Sequence, residues 1–157
     1  MRNPSSSGGN PASAPSGTPA PFPEAYGATV FDGPGALPPW PASFVIVTAW
    51  ATTGQHWSGA RNRRAMARMD RELRIRGLEH RPIVGRAPDG SHAEPSWLVP
   101  MSLEEGREMG RRYLQHAIYW VTDDVLHVVP CDADSGTPWP IGSFRARTMH
   151  PGAHPAD

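Results

Sequence analysis

Apolar residues recur along residues 41–134 with the periods of both strands and helices. The run Phe-Val-Ile-Val-Thr-Ala-Trp at 44–50 is aromatic, β-branched and uninterrupted, which is typical of a strand buried on both faces. Shorter runs of the same kind follow, bounded by turn residues, and each predicts a further strand. These strands cover 81–86, 96–100, 117–121 and 125–129, and a tight hairpin at Asp123-Asp124 joins the last two.

A helix is predicted between the first two strands, over about residues 62–76. Its apolar stripe consists of Met66, Met69 and Leu73, which are spaced i, i+3 and i+7. Gly77 follows at the position where a helix C-cap favours glycine. The rest of the helix surface is mostly arginine, so this helix is predicted to present one apolar face and one cationic face.

A second helix is predicted to begin at Ser102. Ser102 and Glu105 form a capping box, in which the hydroxyl and the carboxylate each satisfy a free backbone N–H of the other residue. Gly106 and Gly110 lie on its apolar side, where they weaken the helix but allow it to approach a sheet closely. Gln115 is exposed if the helix continues through it, and turns inward at the helix–strand junction if the helix ends one residue earlier.

The predicted order is strand, helix, strand, strand, helix, strand, strand, which indicates an α+β fold. We expect a single small domain with a mixed sheet of about five strands and two helices packed on it, of which a ferredoxin-like arrangement is one form. We assign this domain to residues 41–134. Residues 1–40 are rich in Pro, Gly and Ser and predict a disordered arm, and residues 135–157 predict a loosely ordered tail.

Charge is unevenly distributed, although the formal net charge is zero. All 15 basic residues are arginine, and residues 61–86 carry a net charge of +6 while residues 87–134 carry −6. Arginines three or four residues apart form one ridge along the first helix, a pattern that suits contact with phosphate backbones. No recognised nucleic-acid fold or aromatic stacking signature accompanies the ridge in the sequence, so nucleic-acid binding is an alternative function. The ridge consists of Arg61, Arg64, Arg68 and Arg71.

The composition argues against a disulfide scaffold and against a membrane protein. Cys131 is the only cysteine, so the chain has no intramolecular disulfide. No apolar run approaches the length that spans a bilayer, and the first forty residues contain no hydrophobic targeting segment. We therefore expect a cytoplasmic protein with no membrane partner, present as a monomer or a weak homodimer.

One short segment carries the densest candidate chemistry. On a strand, His92, Glu94 and Ser96 share one face. His92 and Glu94, with Pro130-Cys131 later in the chain, are similar to the motifs of zinc-dependent nucleobase deaminases. Asp134 would replace the second cysteine as a zinc ligand. Deaminases present these motifs at helix N-termini, whereas a strand follows here, so this hydrolase is the weaker alternative. A Ser96–His92–Glu94 relay is disfavoured because neighbours on one strand do not converge.

Several short motifs occur in an order known from one bacterial family. They are Thr48-Ala49-Trp50, Asn62-Arg63-Arg64, Gly85 to Gly90, Glu94-Pro95-Ser96 and Gln115-x-Ala117. In order and spacing, residues 43–131 resemble the domain of unknown function 3293. That family has no established activity, so the resemblance implies the domain limits and supplies no reaction. Relatives usually have Asn-Pro where this chain has Ala51-Thr52, so a site that uses this Asn would be altered here.

From these patterns we predict a binding module for a small ligand or a protein segment, with no identifiable reaction and no cofactor. Its polar site would gather five residues near strand ends or helix starts. Asn62 also has a structural role available, as the N-cap of the first helix. An enzyme is the alternative reading of the same site, with His92 or Glu94 as general acid or base. The five residues are Trp50, Asn62, His92, Glu94 and Gln115.

Overall fold

The computed structural model describes residues 24–52, 55–132 and 136–148, and its centre is one antiparallel sheet. The strands are β1 (Val30–Asp32), β2 (Ser43–Val47), β3 (Arg81–Arg86), β4 (Ala93–Val99), β5 (Ala117–Thr122), β6 (Val125–Pro130) and β7 (Trp139–Ser143). They lie in the order β1-β3-β4-β2-β5-β6-β7. The sheet curls into a half-barrel, and a bridge between Phe31 and Thr148 brings the segment after β7 against β1.

Helices and short turns connect the strands. The capping box that was predicted at Ser102 and Glu105 is confirmed at the start of the third helix. No helix in the described residues is both long enough and apolar enough to cross a membrane. The helices are α1 (Ala25–Ala28), α2 (Gly59–Ile75) and α3 (Leu103–Arg112), and the 3₁₀ turns are Pro34–Ala36 and Arg145–Arg147.

The predicted fold class, an α+β domain with a mixed sheet of about five strands and two helices packed on it, is wrong. The sheet has seven strands, and every pair of strands in it is antiparallel. The additional strands, β1 and β7, lie outside residues 41–134, in the segments predicted as an arm and a tail. β1 has only three residues, and β7 contains Pro140 and Gly142, which are uncommon in strands, so neither segment has the composition that predicts a strand. Proline is tolerated in β7 because β7 is an edge strand.

The outer parts of the predicted arm and tail, residues 1–23 and 149–157, lie outside the described residues. The inner part of the arm contains α1, β1 and the first 3₁₀ turn. Arg147 ties the two ends of the described chain together, because its guanidinium donates hydrogen bonds to the carbonyl oxygens of Gly27 at 2.7 Å and Ile141 at 2.6 Å.

Side chains alternate between two cores on opposite faces of the sheet. On β2, Val45 belongs to a helix-side core and Ile46 to a core inside the half-barrel. The helix-side core also contains Met69 and Leu73 of α2 and Met109 of α3, all fully buried. The second cluster, which we call the barrel core, consists of Phe31, Ala36, Phe44, Ile46, Ile83, Leu98, Val121, Leu126 and Phe144.

Two glycines allow α3 to lie against the sheet, as predicted. A Cβ atom on Gly106 would lie 2.7 Å from Cγ1 of Val45 on β2. A Cβ atom on Gly110 would lie 2.5 Å from Sγ of Cys131. Both distances are shorter than real Cβ contacts allow, so any larger residue would push α3 away from the sheet.

Candidate functional site

The backbone that follows β2 is held by two buried amide side chains. Asn62, in the first turns of α2, accepts a hydrogen bond from the N–H of Ala51 at 2.9 Å. Gln115, just after α3, donates from Nε2 to the carbonyl oxygen of Trp50, also at 2.9 Å. Asn62 is 5% exposed and Gln115 is 6% exposed. The structure thus brings together Trp50, Asn62 and Gln115, and both amides bind the backbone of this loop.

The predicted role of Asn62 as the N-cap of α2 is wrong. The helix begins at Gly59, and the hydroxyl of Ser58 accepts a hydrogen bond from the N–H of Arg61 at 3.2 Å. Serine caps a helix about as well as asparagine, so the sequence does not rank the two positions. With Ser58 as the cap, Asn62 enters the helix, and its amide is available to the loop after β2.

Gln115 turns inward because α3 ends in a Schellman motif. The N–H of Gln115 bonds to the carbonyl oxygen of Gly110 at 2.8 Å, and that of Leu114 bonds to Arg111 at 3.1 Å. Leu114 has a φ of 61°, in the left-handed region. Of the two positions considered for Gln115, the structure shows the inward one.

Replacing Leu114 by glycine is expected to raise the free energy of unfolding by about 1 kcal/mol. The left-handed conformation costs a residue with a Cβ roughly 1–2 kcal/mol, and the greater entropy of an unfolded glycine offsets part of this gain. Leu114 is 60% exposed, so little packing is lost. Urea unfolding followed by circular dichroism measures the change. The reverse change, Gly77→Ala at the matching position of α2, where φ is 68°, should destabilise the protein. A loss of stability in Leu114→Gly would contradict this account.

Glu94 lies near the start of β4, and the hydroxyl of Thr48, just after β2, donates a hydrogen bond to the carbonyl oxygen of the next residue, Pro95, at 2.7 Å. Glu94 is on the side of β4 that faces the barrel core, and its Oε2 lies 3.7 Å from Nε2 of His92. Burial raises the pKa of Glu94, and the nearby His92 opposes that rise. In the part of the chain that the structure describes, no hydrogen bond or ion pair joins either residue to Asn62 or Gln115. The five predicted residues therefore divide into two groups by their hydrogen bonds and ion pairs.

The deaminase-like motif does not form a metal site in the described residues. Cys131 is fully buried in the helix-side core, and burial raises the pKa of its thiol to about 12. The side chain of His92 is 65% exposed, before β4, and Asp134 lies outside the described residues. No group of three or more His, Cys, Asp or Glu in the described ranges could hold a metal ion.

The Ser96–His92–Glu94 relay is not formed either. The hydroxyl of Ser96 donates a hydrogen bond to the backbone oxygen of Glu94 at 3.3 Å.

Positive charge is concentrated in a groove between α2 and the end of α3, which we call the arginine groove. It encloses a cavity of about 620 Å³. Two residues of the predicted ridge, Arg68 and Arg71, line it, while Arg61 and Arg64 continue the ridge toward the start of α2. The lining residues are Arg68, Arg71, Glu72, Ile75, Arg76, Arg112 and Tyr113.

Among the described residues, Glu72 is the only carboxylate that lines the arginine groove, and it is already engaged. Tyr113 donates a hydrogen bond from its hydroxyl to Oε2 of Glu72 at 2.9 Å, and Arg112 forms an ion pair with Oε1. Burial and the hydrogen bond to Glu72 raise the pKa of Tyr113 to about 12, so the phenol stays protonated. Arg71 forms no ion pair within the described residues. The groove therefore keeps unneutralised guanidinium groups.

A second cavity, of about 670 Å³, contains a histidine–aspartate pair that sequence reasoning missed. Nε2 of His80 lies 2.6 Å from Oδ1 of Asp70, and Nδ1 lies 2.9 Å from the carbonyl oxygen of Leu78. The hydrogen bond from His80 lowers the pKa of Asp70. Both ring nitrogens face acceptors, and the pair fastens α2 to the turn before β3. Asp70 and His80 are ten residues apart, one on α2 and one in the turn before β3. No helix or strand periodicity relates the two positions, so the sequence does not predict that they meet.

Comparisons with known proteins identify one family. No curated protein and no solved structure matches the chain. Residues 47–118 match the model of the family described as protein of unknown function (DUF3293). This match covers 72 of the 157 residues and confirms the resemblance drawn from the sequence.

Proposed function

We propose that this protein is a binding module that holds a phosphate-bearing ligand in the arginine groove. The observation that carries the proposal is the lining of that groove, which combines four guanidinium groups with a single carboxylate around a cavity of about 620 Å³. Arginine pairs with phosphate through two parallel N–H···O bonds, which gives both affinity and orientation. A ligand with several phosphate oxygens matches this lining in charge and in hydrogen bonding.

The contacts of Glu72 support an anionic ligand rather than a cationic one. Tyr113 and Arg112 both hold the Glu72 carboxylate, so its negative charge is compensated within the protein. Arg76 is 4.0 Å from Glu105, at the limit of an ion pair. Arg68 and Arg71 are exposed and have no carboxylate partner within the described residues. These two arginines are the ones we expect to bind the ligand directly.

The five-residue binding site that the sequence predicted stays a prediction, now with fewer residues available to a ligand. Asn62 and Gln115 use their amides on the backbone of the loop after β2, which suits a role in shaping the protein. Trp50, His92 and Glu94 are the members that are not fully buried. We also propose a cytoplasmic location, with which a free, buried cysteine is compatible.

Binding of inorganic tripolyphosphate tests the proposal. Calorimetric titration of the full chain at low salt is expected to show binding that weakens as salt is added. The double variant Arg68→Gln, Arg71→Gln should bind at least about tenfold more weakly, since a hydrogen bond to a charged group contributes about 1.5–3 kcal/mol. The matched control is Arg63→Gln, Arg74→Gln, which makes the same charge change on the same helix away from the groove.

The comparison between the two double variants decides the result. If both weaken binding equally, the effect is one of net charge, and the arginine groove is not the site. If the wild-type protein shows no heat of binding at low salt, the proposal is also wrong. Unchanged circular dichroism and melting temperature in both variants show that the fold is retained.

A further inference from the structure

We propose that the ligand of the arginine groove is a single strand of nucleic acid that continues along the ridge of α2 and stacks its bases on aromatic side chains. This inference rests on the proposed function and names its ligand class. Proteins that bind single strands combine a cationic path for the phosphates with aromatic rings for the bases. The sequence shows the cationic ridge alone, whereas the fold brings aromatic rings to it.

The first aromatic ring lies at the start of α2. The guanidinium of Arg61 lies over the ring of Trp57, 3.9 Å from its centroid. The indole N–H of Trp57 donates to Oε1 of Gln55 at 3.2 Å, which orients the ring. Trp57 is half-buried, so part of its surface is open beside an exposed cation. Nucleobases stack on both indole rings and guanidinium planes, and this pair offers both.

The second aromatic ring comes from α3 and lies at the arginine groove. The guanidinium of Arg68 is 6.0 Å from the ring centroid of Tyr113, a residue 45 positions later in the chain. The hydroxyl of Tyr113 donates a hydrogen bond to Glu72, and this bond fixes the orientation of the ring. Tyr113 is half-buried and lines the cavity. The groove therefore has a ring as well as cations.

The ridge has a length that suits a short strand. Arg61, Arg64, Arg68 and Arg71 follow one face of α2, and the axial distance from the first to the last is about 15 Å. At a rise of about 3.4 Å per stacked nucleotide, this length covers roughly four nucleotides. A duplex would present only phosphates to the ridge, because its bases are already stacked on one another. The two aromatic–arginine pairs thus favour an unpaired strand.

Fluorescence anisotropy with a labelled 20-nucleotide oligothymidylate tests the inference. The variants Arg64→Gln and Trp57→Leu both lie outside the arginine groove, so they should leave tripolyphosphate binding unchanged. Each should weaken binding of the oligothymidylate, and Trp57→Leu should do so roughly tenfold, within the range known for loss of one stacking ring. Arg63→Gln is the matched control for Arg64→Gln and should bind like the wild type.

Two further probes separate stacking from charge. An abasic strand of the same length and charge should bind more weakly than the oligothymidylate, and Trp57→Leu should not affect it. The log–log salt slope for the oligothymidylate should become shallower by about 0.7 when one phosphate contact is removed in Arg64→Gln. Circular dichroism and melting curves of each variant show that the fold is retained.

The outcomes distinguish this inference from the proposed function. If tripolyphosphate binds in the groove but the abasic strand, a DNA duplex or oligoglutamate binds as tightly as the oligothymidylate, the inference is overturned and the proposed function stands. An unchanged affinity of Trp57→Leu for the oligothymidylate has the same meaning. If tripolyphosphate and the oligothymidylate both fail to bind, both proposals fall.

Discussion

Replacing Phe144 by alanine is expected to lower the free energy of unfolding by about 3–5 kcal/mol, the cost of removing a buried phenylalanine ring. Phe144 is 1% exposed in the barrel core. Its ring centroid lies 5.5 Å from that of Phe31 and 5.2 Å from those of Phe44 and Trp40, in tilted and edge-to-face contacts. Since small proteins are stable by only about 5–15 kcal/mol, this change removes a large share of the stability.

Chemical unfolding followed by circular dichroism measures this effect. The control is Ile75→Ala, which removes a large apolar side chain that is 78% exposed and should change stability by less than about 0.5 kcal/mol. Phe144 lies in the segment that the sequence predicted as a loose tail. A loss below about 1 kcal/mol, the typical cost of a point mutation, would show that this segment is peripheral to the core.

The second large effect is expected from Gly110→Ala, which should destabilise the protein by about 1–3 kcal/mol. In an exposed helix the same change stabilises by about 1 kcal/mol, because alanine favours the helix. Here the added Cβ would lie 2.5 Å from Sγ of Cys131 and 2.9 Å from Cγ2 of Ile118. Both neighbours are buried in the helix-side core and cannot move freely. The close contact therefore outweighs the helix propensity.

The sign of the change makes this prediction easy to test by urea unfolding. Gly59→Ala, at the start of α2, is the control, because its added Cβ would meet only the flexible end of Arg63, at 3.1 Å. The double variant Gly110→Ala, Cys131→Ala should recover part of the loss, because the nearest atom is removed. A Gly110→Ala protein more stable than the wild type would show that α3 does not lie as close to the sheet as described.

Much of the local structure could be predicted because it depends on interactions between residues that are close in sequence. The Ser102–Glu105 capping box, the glycine after α2 and the hairpin at Asp123-Asp124 depend on a few neighbouring residues. Both central residues of that hairpin have positive φ, as the tight turn requires. The strands β2, β5 and β6 were also predicted, since their apolar runs are long and uninterrupted.

The fold class was wrong for a physical reason that concerns the ends of the chain. β1 and β7 are held by pairing and by the barrel core, not by their own composition. Phe31 and Phe144 are two isolated aromatic residues in Pro- and Gly-rich surroundings, so composition alone assigns them to flexible segments. Only the curl of the sheet brings them together, with ring centroids 5.5 Å apart.

The sequence by itself determined many of the local elements, the cationic ridge on α2 and the resemblance to one family. The tertiary structure decided which side chains meet. It directed Asn62 and Gln115 to the backbone after β2, and it buried Cys131 in the helix-side core. It also placed Tyr113 beside Arg68, which turned a row of exposed arginines into a groove with an aromatic ring. Periodicity reports which face of an element is apolar, whereas contacts between distant residues depend on how the elements pack.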